Sequence, residues 1–251
     1  MIPKLAALIL CTGVALHDGR AQNPSLPNSD ATATTEPSAL REISPGIFQI
    51  GSLRLDKARQ TVSFPGKLNM ADGTLEYLLV TPGGSTHESL LVTEIQPADL
   101  HFAMLLLGAK GAGITTPAPE DAPPAQINKE YLQRAPKLKG DDVLISVKWK
   151  VGDAEKTAAV EDWLMDSKTR KAAPRGPWRY TGSMFKDGRF LAQTEGTFAA
   201  LVTYPSALIN NPREHNDDDT AWEVNTKAVP KVDTPVEITI KLATSEPADS
   251  K

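Results

Sequence analysis

Short alternating segments separated by turn residues constrain the fold of this chain more than any other feature. In "VLISVKWKV" every second residue is apolar, at Val143, Ile145, Val147 and Trp149. A period of two places these side chains on one face of a β-strand. Further segments of this kind, such as "VEITIKL", recur along the chain, and Gly152-Asp153 and Asp187-Gly188 offer hairpin turns between them. The pattern predicts a mainly β (α+β) fold, an antiparallel β-rich sandwich or half-barrel.

One segment, "QPADLHFAMLLLGAKG", has a helical pattern. Pro97 suits a first helical position, and Asp99 lies in the first turn, where the helix dipole favours a negative charge. Gly108 or Gly111 can end the helix. Apolar residues occupy almost every side of it, which is typical of a buried helix. We therefore expect one buried helix at about 97–108, packed on the sheet.

The stretch "TPGGSTHESLLVTE" lies between this helix and the preceding apolar run "LEYLLV". Pro82 and Gly83 are suited to a tight turn, so the two apolar runs predict a hairpin covered on both faces. On such a strand the adjacent residues His87 and Glu88 would point to opposite faces, with His87 opposite Leu78 if the loop has two residues.

The first residues have the features of a secretory signal peptide. Lys4 precedes an apolar run from about Leu5 to Leu16, and small residues precede a cleavage position before Gln22. The run is shorter than the roughly 20 residues of a membrane-spanning helix. We expect residues 1–21 to be removed, the chain to be periplasmic or extracellular, and no later segment to span a membrane.

Composition divides the rest of the chain. Residues 22–40 are rich in Pro, Ser, Thr and Ala and predict a flexible spacer. Residues 41–243 predict a single β-rich domain, because strand patterns resume after the Pro/Ala-rich loop at 111–126. Residues 244–251 are a polar tail.

Cys11 is the only cysteine, and it lies within the predicted signal peptide. The exported chain therefore has no disulfide, thiolate nucleophile, Cys-ligated zinc or iron–sulfur cluster. The net charge is −4, and Lys and Arg are spread along the chain, which argues against nucleic acid as a partner. No G-x-S-x-G motif is present, which disfavours a serine hydrolase, and nothing predicts a cofactor.

Two long blocks resemble a known family. "EYLLVTPGGSTHESLLVTEIQPADLHFAMLLLGAKG" resembles the core motif of YdjY-type domain proteins, and "EDWLMDSKTRKAAPRGPWRYTGSMFKDGRFLAQTEGTFAAL" resembles their second block. The resemblance extends over about residues 41 to 242. It implies an exported bacterial domain of a family without an assigned activity, so it transfers no catalytic residue.

Two sets of side chains are candidates for a site. His87 and His101 could face each other, because the predicted hairpin leads straight into the helix, and Glu94 or Asp99 could complete a divalent metal site. The alternative is that both imidazoles hydrogen-bond to structural partners. Trp178 and Trp222 lie among charged residues and are candidates for an exposed aromatic binding face; the alternative is that the aromatic residues pack in the core. The Asp-rich segment 210–220 lacks the Gly and Glu of an EF-hand and predicts a solvated loop.

No convergent catalytic set is evident from the sequence. The preferred hypothesis is an exported, non-enzymatic binding or envelope-assembly module, whose partner is a protein, peptide or glycan of the cell envelope. The alternative is a metal-binding protein or metal-dependent enzyme centred on His87 and His101. A structural, wall-associated domain is a third hypothesis.

Overall fold

The computed structural model describes residues 38–111 and 138–243. In the first range the strands are β1 (Leu40–Ser44), β2 (Ile47–Ile50), β3 (Leu53–Asp56), β4 (Thr61–Leu68), β5 (Tyr77–Val80) and β6 (Ser89–Val92), followed by helix α1 (Pro97–Leu106). The second range contains β7 (Asp141–Val151), β8 (Ala154–Ala159), β9 (Leu164–Asp166), β10 (Lys171–Ala172), β11 (Trp178–Tyr180), β12 (Phe185–Lys186), β13 (Arg189–Phe190), helix α2 (Leu191–Glu195), β14 (Thr197–Ala200), β15 (Ile209–Asn210), β16 (Trp222–Val224) and β17 (Pro235–Leu242).

Eight of these strands close into a barrel in the order β4, β17, β7, β11, β15, β14, β5 and β6. Closure comes from a short antiparallel contact in which Lys67 pairs with Val92 and Leu68 with Leu91. The meander β1–β3 extends from the other end of β4, and β8 extends from β7. The fold is therefore mainly β as predicted, but it is a barrel with extra strands and not a sandwich.

The predicted hairpin at residues 81–84 is wrong, because β5 and β6 run parallel, with Leu79 opposite Leu91. The strands β14 and β15 are also parallel, so the barrel is mixed and not purely antiparallel. The side-chain amide of Asn69 donates to the carbonyls of Thr86 (2.6 Å) and Ser89 (2.7 Å). These bonds fix the returning chain beside the end of β4. Both strands are nevertheless buried throughout, as the apolar runs predicted.

Alternation on the long strands fills the barrel interior. In β17 the side chains of Val236, Ile238, Ile240 and Leu242 are buried, as their spacing predicted. They lie beside β7, where Ile238 is opposite Val147 and Ile240 opposite Ile145. Large rings complete the core, and the largest fully buried ones are Trp163, Trp178, Trp222, Tyr180, Phe64 and Phe198.

Helix α1 begins at Pro97, as predicted, and its first turn is tied to the segment that precedes β1. The Asp99 carboxylate accepts hydrogen bonds from the backbone N–H (3.1 Å) and the hydroxyl (2.7 Å) of Ser38. Burial on all sides was predicted, and that prediction is wrong. Met104 is fully buried, whereas Phe102 is 38% and Leu105 44% exposed. The helix lies on the outside of the barrel and buries only one of its sides. Its apolar residues on the other side therefore face solvent.

Several predicted segments lie outside the described residues: the signal peptide, the tail, and most of the spacer and of the loop at 111–126. Where a strand was predicted after the Asp187-Gly188 turn, the chain forms β13 and then helix α2, which ends at Gly196 with φ +66°. Within residues 38–111 and 138–243, no helix is long and apolar enough to cross a membrane.

Substitution of Gly66 should test how tightly the barrel is closed. A Cβ at this position would lie 2.7 Å from Ile238 Cδ1 and 3.0 Å from the carbonyl oxygen of Val92 on β6. We expect Gly66→Ala to lower the free energy of unfolding by about 1–3 kcal/mol, because the core and the closing strand must both move. Urea denaturation measures this. In the Gly83→Ala control the new Cβ meets only Thr81 Oγ1, at 3.9 Å, and stability should hardly change; an equal loss in both variants would contradict the closure.

Candidate functional site

The side chain of His101 connects the barrel core to the surface. From helix α1 its ring packs 4.9 Å from that of Phe190 and 6.2 Å from that of Tyr180, measured between centroids. Phe190 in turn packs 5.1 Å from Phe185. Tyr180 is fully buried and Phe185 is 68% exposed. We call Tyr180, His101, Phe190 and Phe185 the aromatic row, because the four rings form a continuous path from the interior to solvent.

Burial and one hydrogen bond set the protonation of His101. Tyr180 Oη lies 2.7 Å from His101 Nδ1. Burial lowers the pKa of His101 and raises the pKa of the Tyr180 phenol. At neutral pH both groups are therefore uncharged, and in the tautomer with the imidazole proton on Nε2 the phenol donates its hydrogen bond to Nδ1. The imidazole acts here as a packed, neutral ring.

An apolar surface surrounds the outer end of the aromatic row. We call Phe102, Leu105 and Phe185 the apolar patch; they are 38%, 44% and 68% exposed. Residues three or four apart lie on the same side of a helix, so Leu105 neighbours both Phe102 and His101. His101 contacts Phe190, which packs on Phe185. The apolar patch therefore has one part on helix α1 and one on the β12–β13 hairpin, and His101 and Phe190 connect the two parts.

Two cationic side chains lie at the tip of this hairpin. Asp187 (φ +51°) and Gly188 (φ +73°) form the turn, both with positive φ as a tight two-residue turn requires. Lys186 is directly opposite Arg189, and both are exposed. Within the described ranges neither side chain takes part in an ion pair. The apolar patch therefore borders two like charges that form no ion pair among the described residues.

His87 lies in different surroundings from His101. It belongs to a 3₁₀ turn, Thr86–Glu88, and not to a strand. Its side chain is 80% exposed, and Nε2 lies 3.6 Å from a carboxylate oxygen of Glu88. Glu94, the predicted third ligand, is exposed. Across residues 38–111 and 138–243, no three His, Cys, Asp or Glu side chains are grouped so that they could hold a metal ion.

The two tryptophans of the predicted aromatic face are buried and do not form a surface: Trp178 is 0% and Trp222 1% exposed. Charged neighbours in the sequence suggested exposure, but in the fold a charged residue from far along the chain covers the Trp178 ring. The guanidinium of Arg213 lies over the Trp178 ring, 5.0 Å from its centroid. The indole N–H of Trp178 donates to the Glu161 carboxylate at 3.0 Å. Trp178 is thus part of a buried polar cluster.

Arg213 and Glu161 form that cluster, and sequence reasoning missed both. Arg213 Nη2 lies 2.7 Å from Glu161 Oε1, and their side chains are 9% and 3% exposed. The guanidinium also donates to the carbonyls of Pro174 (2.6 Å) and Gly176 (2.9 Å) and to Asn211 Oδ1 (3.1 Å). The ion pair joins chain segments that are far apart in sequence, so no local sequence pattern predicts it. Its partners are all internal, which makes it a structural cluster.

A second polar cluster lies beside the 3₁₀ turn. The Tyr204 hydroxyl donates a short hydrogen bond to Glu76, and its ring stacks on Tyr77 at 4.9 Å. Burial raises the pKa of Glu76; the Tyr204 hydrogen bond opposes this shift and the Glu88 carboxylate reinforces it. Burial also raises the pKa of Tyr77 to about 12. The short hydrogen bond and the stacked rings are internal contacts, which makes this a second structural cluster.

These features define a class of protein: a closed, mixed β-barrel domain with an outer helix and an apolar patch. The YdjY domain model matches residues 53–241, and the chain belongs to the YdjY domain family. The match confirms the resemblance of the two sequence blocks. No curated protein and no solved structure matches the chain.

The buried, neutral His101 should make stability depend on pH. Its pKa is lowered in the folded state, so below the unfolded value near 6.5 the unfolded chain binds a proton that the folded chain does not. The free energy of unfolding should therefore fall as the pH is lowered from about 8 to about 5.5. His101→Gln should make that decrease smaller. Urea denaturation at the two pH values measures it. The surface variant His87→Gln should keep the wild-type difference; a His101→Gln chain that also keeps it would refute the assignment.

Removal of one partner of the buried ion pair should be costly. In Arg213→Met the Glu161 carboxylate stays buried without its cation, so we expect a loss of about 3–5 kcal/mol in unfolding free energy. The double variant Arg213→Met/Glu161→Gln should recover part of it, because the uncompensated charge is gone. Arg175→Met removes an exposed arginine that pairs with Asp162 and should have little effect. Equal melting temperatures for the two arginine variants would contradict the structural role.

Proposed function

We propose that this chain is an exported, non-enzymatic binding or envelope-assembly module that binds its partner on the apolar patch. The observation that carries the proposal is the solvent side of helix α1. A helix on a protein surface normally presents polar residues to water. The exposed residues of α1 are instead Phe102 and Leu105. An apolar surface of this kind, bordered by polar groups, is typical of an interaction site.

The aromatic row favours binding through Phe185. A side chain held by neighbouring rings loses little conformational freedom when a partner covers it. Phe185 packs on Phe190, which packs on His101, and His101 is fixed by the hydrogen bond to Tyr180. Phe185 is thus a supported anchor for an envelope protein, peptide or glycan, the partner classes that we propose.

Export is supported by the N-terminal sequence. Lys4, the apolar run from Leu5 to Leu16 and the small residues before Gln22 are the parts of a secretory signal. Removal of that segment leaves a chain without cysteine. Its stability then rests on the barrel core and the buried ion pair, and is independent of the redox state of the compartment. We place the mature chain in the periplasm or outside the cell.

The metal-dependent alternative lacks a comparable observation. His101 contacts Tyr180 and Phe190, whereas His87 is exposed and pairs with Glu88. Bound metal measured by mass spectrometry on the purified chain remains its direct test. A stoichiometric metal lost in both His87→Ala and His101→Ala would replace the binding module with a metal protein.

Photo-crosslinking in the native cell tests the proposed surface. A photoreactive phenylalanine analogue at Phe185 or Leu105 should form adducts, because a partner excludes water there. The matched control position is Val232, which is also apolar and 48% exposed but lies outside the patch. Adducts are identified by mass spectrometry, which detects protein, glycan and lipid alike. A patch without adducts, or equal labelling at Val232, would refute the proposal; cell fractionation of the same strains tests export.

A further inference from the structure

The β12–β13 hairpin separates its aromatic and cationic side chains. Phe185 pairs across the strands with Phe190, and Lys186 pairs with Arg189. Adjacent residues on a strand point to opposite faces, so one face of the hairpin carries two phenylalanines and the other two cations. Like charges directly opposite each other destabilise a strand pair. An anionic ligand would relieve this repulsion, and no carboxylate among the described residues pairs with either cation.

The cation pair stands out against the composition of the chain. The net charge is −4, so two adjacent cations that form no ion pair among the described residues do not reflect a generally basic surface. The hairpin turn adds a single carboxylate, Asp187, and the solvent side of helix α1 adds no charge. Around the outer end of the aromatic row, exposed apolar side chains and positive charge therefore occur together.

We infer that the apolar patch and the cations Lys186 and Arg189 together bind the surface of an anionic lipid bilayer. The inference rests on the proposed binding role of that same patch, and it assigns the patch a lipid surface in place of a protein, peptide or glycan. Phe185, Phe102 and Leu105 enter the boundary between head groups and acyl chains. Lys186 and Arg189 lie on the opposite face of this thin hairpin from Phe185, and their long stems let the charged groups reach the level of the lipid phosphates.

The shape of the surface favours a bilayer over an acidic peptide. A peptide with apolar side chains needs a groove to bury them. The patch lies on a helix and a hairpin tip, with Phe185 68% exposed. A bilayer requires no groove, because the protein side chains enter the lipid.

Vesicle co-sedimentation tests the inference. The purified chain should bind vesicles of equal parts phosphatidylglycerol and phosphatidylcholine, and bind pure phosphatidylcholine at least about tenfold more weakly. High salt should weaken the binding, because screening reduces attraction to the lipid phosphates. The variants Lys186→Glu/Arg189→Glu and Phe185→Ser should each reduce binding about tenfold or more. Near-ultraviolet circular dichroism checks that each variant is folded.

A charge-matched control isolates the effect of position. Lys227→Glu/Lys231→Glu makes the same change in net charge at two exposed lysines outside the hairpin, and it should bind as the wild type does. Equal binding to both vesicle types, or an equal loss in the control, would overturn the lipid inference. Binding to an acidic peptide in place of vesicles would overturn it as well. Protein or glycan adducts at Phe185 in cells, without vesicle binding, would leave the binding module standing and remove only its lipid partner.

Discussion

Closure of the barrel between β4 and β6 is the constraint on which the rest of the structure depends. The contact is short, with Lys67 opposite Val92 and Leu68 opposite Leu91. It succeeds because Asn69 holds the backbone on both sides of the start of β6. Closure pairs the strand edges of the barrel, and unpaired edges are prone to aggregation. Since α1 follows β6 directly, closure also decides where the helix lies.

Helix α1 and the β12–β13 hairpin then meet over the barrel through aromatic contacts. Their link is His101, which is uncharged because its surroundings are buried and because Tyr180 occupies Nδ1. A charged imidazole between Tyr180 and Phe190 would need water or a carboxylate that these contacts do not provide. The neutral His101 side chain thus connects the core, through Phe190, to Phe185. These contacts hold the Phe185 ring of the apolar patch in place.

Buried polar groups fix the loops around this framework. Arg213 satisfies its guanidinium with Glu161, with Asn211 and with backbone carbonyls. Such a cluster is costly to bury and costly to break, so it selects one arrangement of its loops over others. Tyr204 and Glu76 do the same beside the 3₁₀ turn. The contacts of both clusters are internal, whereas the apolar patch leaves Phe102, Leu105 and Phe185 exposed.

Local pattern by itself determined much of the fold. Alternation in β7 and β17 predicted which side chains are buried, Pro97 predicted the start of α1, and Asp187-Gly188 predicted a hairpin turn. These features depend on backbone preferences and on a single buried face, both of which act over a few residues. The two sequence blocks also predicted the family, since they contain its characteristic residues.

Tertiary structure alone decided strand direction, ring burial and the candidate surface. Pro82-Gly83 is suited to a hairpin, yet Asn69 and β4 direct the chain into a parallel strand, because pairing with a distant partner outweighs a local turn preference. Trp178 is buried since Arg213, far along the chain, covers it. An apolar helix has the same residue pattern in the sequence whether its outer side is covered by protein or exposed to solvent. Only the position of α1 on the barrel shows that Phe102 and Leu105 face solvent.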